Sequence, residues 1–230
     1  IITYQSAYAF YAFFYQNGCK VIDTSGEKPA VTVNDAAGTE AWNYICSLIE
    51  NDYLVESFKE ATSWDKAYES FGNGDATFLF GGDWCASGIQ KANPDLNFGI
   101  ACMPQGKEQA TVLGGWTWNI NANSKHPEIA YDFITFMCSE QADPVLAPGG
   151  RHSARLDWDI QKALEGNETL LPLAEQFSYT MARPAIINEK AIDKIIVNAL
   201  LEVEYGQQTP DEALAELTQN LQDNIDSNYN

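Results

Sequence analysis

The sequence predicts an α/β fold, and three observations carry that prediction. Apolar residues recur at helical period in several runs, short apolar segments of strand length stand between them, and both end at Gly, Pro or Asn signals. The 230-residue chain is long enough for one large domain or two small ones, and 45% hydrophobic residues suit a packed core.

The elements follow in order. Residues 6–16 (SAYAFYAFFYQ) read as a buried helix stopped by Asn17-Gly18. Residues 30–33 (AVTV) form a short extended segment. Residues 35–50 make an amphipathic helix with Ala41, Trp42, Ile45, Leu48 and Ile49 on one face. Residues 65–71 are helical and closed by Gly72-Asn73-Gly74. Residues 76–80 read as a strand, 84–91 as a helix, 97–102 as a second strand ended by Met103-Pro104, and 111–120 as a third containing Gly114-Gly115. Residues 127–138 form a helix with Pro127 in its first turn and Ile129, Phe133, Phe136 and Met137 along one face. Residues 147–150 (APGG) are a turn or hinge. Residues 189–205 are helical. The last helix opens at Thr209-Pro210-Asp211-Glu212, a capping box, and its buried stripe is Leu214, Leu217, Leu221 and Ile225.

Composition removes several functions. The net charge of −19 opposes nucleic-acid binding, which needs Lys and Arg against phosphates, and opposes an anionic membrane surface. No apolar run reaches the ~18 residues of a membrane span. Five cysteines without a CxxC pair and two histidines give no zinc pattern, so no metal and no cofactor is expected. The odd cysteine count leaves at least one free thiol in a monomer, and the cysteines read as small buried apolar residues. The chain opens Ile1-Ile2-Thr3-Tyr4, with no Met and no basic segment, which reads as a cut inside a larger protein.

Nucleophile elbows, P-loops and dinucleotide fingerprints are absent, so no catalytic residue is assigned. His126 precedes a helix and His152 follows Arg151, positions of capping and surface residues. The aromatic–glycine clusters say more. Trp64, Trp84 and Trp116 stand at element ends, next to Asp65, Asp83 and Gly115. Indole rings stack on the C–H faces of sugars while carboxylates, amides and Arg take the hydroxyls, so this pattern points to a saccharide site. Trp42 and Trp118 fit core stripes, and Trp158 fits either role.

Several segments then resemble family 1 extracellular solute-binding proteins, the maltose-binding-protein-like group. Residues 63–84 (SWDKAYESFGNGDATFLFGGDW) are similar to that family's aromatic–helix–strand–"G-x-W" run. Residues 93–104 (NPDLNFGIACMP) and 111–142 (TVLGGWTWNINANSKHPEIAYDFITFMCSEQA) follow in the family's order. So do 149–155 (GGRHSAR), Tyr179–Pro184 and Thr209–Leu217. Arg151-His152 departs from the family's apolar residue and Pro, and Asn17-Gly18-Cys19 departs from its Asn-Gly-Gly.

The resemblance implies a type II periplasmic-binding-protein-like fold of two α/β lobes with ligand between them. Residues 1–104 and 151–230 would belong to the C-terminal lobe, 111–146 to the N-terminal lobe, and 105–110 and 147–150 would be crossovers. Most of the N-terminal lobe would precede Ile1. Apolar faces at Val112, Leu113, Phe133 and Phe136 would then be exposed or repacked, and amide exchange through 111–146 would be rapid. The resemblance also implies a monomeric, non-enzymatic binding component of an ABC importer, taking a mono- or oligosaccharide and docking on membrane permease subunits. In its full-length form it would be a lipoprotein, extracellular or periplasmic. Trp84 matches the family's stacking Trp. Trp64, Gly115 and Trp116 match further contacts, Asp83 and Arg151 would be hydroxyl partners, and Tyr8 would either contribute from the first helix or belong to the core. The alternatives are an acidic glycosidase, recognisable by two carboxyls about 5–5.5 Å apart, and a same-fold protein for a polyamine or a phosphate ester.

Overall fold

The computed structural model describes residues 7–54, 63–167 and 169–229. It divides into two compact units. Unit 1 comprises residues 1–81, 103–113 and 179–230, and unit 2 comprises 82–102 and 114–178. This grouping places 82–102 with 114–178, whereas the lobes read from the resemblance cut the chain at 105–110 and 147–150.

Unit 1 opens with α1 (Ala7–Gln16), whose run of aromatic residues makes it apolar nearly all round, and it is buried accordingly. Residue 6, expected in this helix, lies outside the described residues. The helix ends where Gly18 takes φ +85°, a left-handed conformation that Gly adopts without steric cost. The short strands β1 (Ile22–Asp23) and β2 (Ala30–Val31) pair antiparallel. Helix α2 (Ala36–Glu50) starts at Asp35, whose carboxylate accepts the Gly38 N–H at 2.6 Å. Ala41, Trp42, Ile45 and Leu48 form its buried stripe, as the spacing predicts.

Helix α3 (Trp64–Asn73) is capped by Ser63 and closed by left-handed Gly74. Helices α9 (Glu189–Glu204) and α10 (Pro210–Tyr229) pack on each other, and both also pack on α2. The core joins Phe10, Tyr11 and Phe14 to Trp42, Ile45, Ile192, Ile196, Leu200, Leu217 and Leu221. The capping box is formed: Glu212 N–H donates to Thr209 Oγ1 at 3.3 Å, and Thr209 N–H donates to Glu212 Oε2 at 2.9 Å. Strand β3 (Thr111–Leu113) runs parallel to β4 (Thr180–Ala182), pairing Thr111 with Thr180 and Leu113 with Ala182.

Unit 2 holds α4 (Cys85–Ala92), α5 (Pro127–Met137), and the short helices α6 (Asp143–Leu146), α7 (Ile160–Ala163) and α8 (Pro172–Gln176). Its core is small: Ala147, Leu164, Leu170 and Leu173, with Ala86, Ile100 and Ile160 against them. No residue of α5 is buried, and its apolar stripe lies open, with Phe133 53% exposed. Phe133 and Phe136 are thus exposed, while Val112 is buried in unit 1 where β3 pairs with β4.

Three expected strands are corrected. Residues 76–80 contain only one bridge residue, Leu79, residues 97–102 are irregular, and the third strand stops at Leu113. An apolar run supplies a buried face, but a strand also needs a partner edge for its N–H and C=O groups. Trp118 is a further correction: it is 52% exposed and stands edge-on to Phe133 at 5.8 Å instead of lying in a core. Trp42 is fully buried, as its stripe predicts, and donates its indole N–H to Pro210 O at 2.8 Å.

Candidate functional site

The sequence places its strongest ligand residue, Trp84, at the end of Gly81-Gly82-Asp83, and unit 2 builds a tight turn there. The Trp84 ring lies against the Gly82 backbone: a Cβ at Gly82 would stand 2.0 Å from a ring carbon. Gly150 closes on the same turn from another segment. Its φ is +70°, and a Cβ on it would come within 2.6 Å of Trp84 N and 2.8 Å of the Asp83 carbonyl carbon. Only glycine combines that left-handed backbone with so close an approach.

The Asp83 carboxylate is engaged at both oxygens. Oδ1 accepts the Trp84 N–H at 2.9 Å, and Oδ2 pairs with His152 Nε2. The side chains are 16% and 8% exposed, so the pair is shielded from solvent. The His152 ring stands 5.1 Å from Trp158 and 5.2 Å from Phe177, and those two rings meet edge-on at 5.8 Å. His152 therefore is not the surface residue that its neighbour Arg151 suggests. Both ring nitrogens are buried, and Nε2 lies against the carboxylate.

Beside this pair, Arg151 extends its guanidinium to within 5.9 Å of the Trp116 ring centroid and donates from Nη1 to Gly150 O at 3.3 Å. Trp116 is 84% exposed, and Gly115 before it is exposed too. Unit 2 thus holds five of the seven sequence-predicted site residues: Asp83, Trp84, Gly115, Trp116 and Arg151.

The remaining two lie in unit 1. Trp64 is the first residue of α3, half-buried, and its ring stacks on Tyr68 at 6.0 Å and 18°. Tyr8, in α1, donates its hydroxyl to Val112 O at 3.3 Å, and Arg183 lies 5.4 Å from its ring centroid. Arg183 also binds Glu189 at 2.9 Å and Asp193 at 3.1 Å. Burial pushes the Asp193 carboxyl up, against the lowering pull of Arg183. Burial likewise raises the Tyr11 and Tyr15 hydroxyls.

Sequence reasoning missed His152, Trp158 and Phe177 as a packed group, and Arg183 as the centre of a charged cluster. The available signal was the departure at Arg151-His152 from the family pattern. The five cysteines carry no disulfide; Cys19, Cys46 and Cys85 are buried and Cys138 is exposed. Among the described residues no group of three or more His, Cys, Asp or Glu is placed to hold a metal ion, and no helix is long and apolar enough to cross a membrane.

A family model described as "Bacterial extracellular solute-binding protein" matches residues 2–144, more than half of the chain. Among curated relatives, a probable ABC transporter-binding protein of Deinococcus radiodurans is 24% identical over 189 residues, which cover 77% of this chain and 43% of that protein. A maltooligosaccharide ABC transporter solute-binding lipoprotein of Streptococcus pneumoniae is 25% identical over 179 residues, covering 69% and 42%. The chain thus spans less than half the length of these relatives. Among solved structures, the GacH receptor of Streptomyces glaucescens superposes with a TM-score of 0.81 at 22% identity, covering 98% of this chain and 59% of the receptor. That likeness establishes the two-lobe binding-protein type of α/β fold that the motif order implied. The chain therefore belongs to the bacterial extracellular solute-binding proteins, a family of binding proteins and not of enzymes.

Proposed function

We propose that this chain is part of the extracellular substrate-binding component of an ABC importer, and that its ligand is a short α-glucan such as a maltooligosaccharide. The observation that carries the reading is the open Trp116 ring with the Arg151 guanidinium beside it, next to the Trp84 turn. A sugar offers an apolar C–H face and a rim of hydroxyls. A flat indole beside a fixed cation meets both. The pneumococcal relative's name gives the class of saccharide.

In this reading Trp116 and Trp84 stack, Gly115 lets the ligand approach the backbone, and Arg151 donates to hydroxyls. Asp83 contributes through the turn that it holds. The carried-over lobes (1–104 with 151–230, and 111–146) form part of the proposal, supported by the motif order and by the uncovered stripe of α5. Lobe closure on the sugar would present the protein to a permease, with the full-length form tethered outside the membrane as a monomeric lipoprotein.

The test is calorimetry on the full-length protein with maltotriose and maltotetraose, and with Trp84→Ala as the control. Saturable binding that is lost in the control supports the reading. Binding of spermidine or of a sugar phosphate with no response to maltooligosaccharides overturns it. So does an absence of response to every ligand offered.

A further inference from the structure

We propose that His152 is a positioning residue for Trp84, acting through Asp83. The chain of contacts is short. His152 Nε2 pairs with Asp83 Oδ2, and Asp83 Oδ1 holds the Trp84 backbone N–H at 2.9 Å. The same carboxylate therefore holds the backbone N–H next to the Cα that bears the indole, and touches the imidazole. His152 is itself fixed, since Trp158 and Phe177 flank its ring at 5.1 and 5.2 Å. Left-handed Gly150, two residues before it, brings this segment against the Asp83–Trp84 backbone.

Both ring nitrogens are buried and neither makes a well-directed hydrogen bond among the described residues, and Nε2 is the one in contact with the Asp83 carboxylate. A proton on Nδ1 would be a buried, unsatisfied donor, while a bare lone pair there costs less. A proton on Nε2 would instead lie beside the carboxylate. What the contact asks of residue 152 is an N–H group at the Nε2 position, which a glutamine amide can supply.

This reassigns Asp83. With both oxygens committed inside unit 2, its carboxylate acts on the direction of the Trp84 ring and not on a ligand hydroxyl. The consequence for affinity rests on Trp84 being a saccharide contact, but the positioning can be read without any ligand.

The experiment uses the 230-residue chain labelled with 5-fluorotryptophan, with the Trp84 resonance assigned by Trp84→Phe. Asp83→Ala and His152→Ala are each expected to move or broaden the Trp84 line while the Trp42 line, from the core of unit 1, stays in place. His152→Gln is expected to return the Trp84 line close to its original position. If the Trp84 line stays in place in Asp83→Ala, the proposal is overturned, whatever His152→Ala does by disturbing the packing of Trp158 and Phe177. If His152→Gln leaves the line as displaced as His152→Ala does, the imidazole acts by packing alone and the proposal also falls. Maltotriose titration of the same full-length variants adds the functional arm. His152→Ala should weaken binding about two- to tenfold, the size of one lost hydrogen bond, with His152→Gln near the wild type. A wild type that ignores maltotriose removes the saccharide reading and leaves the fluorine result to decide the positioning.

Discussion

The guanidinium carbon of Arg151 lies 5.9 Å from the centroid of the Trp116 ring, and that ring is 84% exposed. An aromatic surface so open contributes little to folding, and a cation held near it contributes little unless a ligand excludes water. The two therefore separate stability from binding. Trp116→Ala should leave the urea unfolding free energy within about 0.5 kcal/mol of the wild type. In the full-length protein it should weaken maltotriose binding about two- to tenfold, as calorimetry would read.

Gly150 is the backbone counterpart of that site. Its positive φ and its close approach to Asp83–Trp84 make Gly150→Ala costly, by about 1–3 kcal/mol. Gly149→Ala is the matched control, because a Cβ there would meet no atom within 4 Å. Urea titration of the two variants should shift the midpoint of the first and leave the second nearly unchanged.

The reciprocal cap at the start of α10 is a direct target. Thr209→Ala should cost about 1 kcal/mol, measured by urea denaturation. Hydrogen bonds from Thr209 hold the Glu212 carboxyl below the usual carboxylate range. Its folded value is depressed, so its contribution is present above the ordinary carboxylate value and is lost as pH falls through the folded one. Glu212→Gln should therefore lower Tm at pH near 7, and the gap should close as the pH is taken below about 4.

Thiol reactivity should follow burial. Desolvation pushes the Cys46 thiol up to about 12 and raises Cys19 too, so neither is a thiolate at neutral pH in the folded chain. Cys138 is exposed. Ellman's reagent at pH near 8 should react with Cys138 rapidly. Cys19 and Cys46 should wait for urea to unfold unit 1, and Cys138→Ser should remove the fastest phase, leaving the slower reaction of half-buried Cys102.

Local signals made the helices legible. Thr209 caps where the sequence puts it, Gly18 and Gly74 stop helices in the left-handed conformation, and the apolar stripes of α2 and α10 are buried. These features depend on residues within a few positions of one another. Strands were less legible because a ladder is a property of two segments. Thr111–Leu113 finds its partner at Thr180–Ala182, while 97–102 is apolar enough for a strand and has none. At the site, the Gly–Trp turns could be read because glycine marks close approach. The pairing of Asp83 with His152 could not, since 68 intervening positions separate them and only the fold joins them. Trp118 was misread for a related reason: a stripe shows which face is apolar, not whether anything lies against it.

The nesting of the two units sets an order in which the chain can acquire structure as it leaves the ribosome. Every residue of unit 2 has been made by residue 178, whereas unit 1 still lacks 179–230. Helix α1 emerges with Phe10, Tyr11 and Phe14 ready to pack, yet Ile192, Leu200, Leu217 and Leu221 in its core are translated only after all of unit 2. Unit 2 can therefore condense first, while unit 1 must keep α1 in waiting until α9 and α10 arrive. A nascent chain stalled near residue 180 would expose that helix to any chaperone that binds aromatic segments.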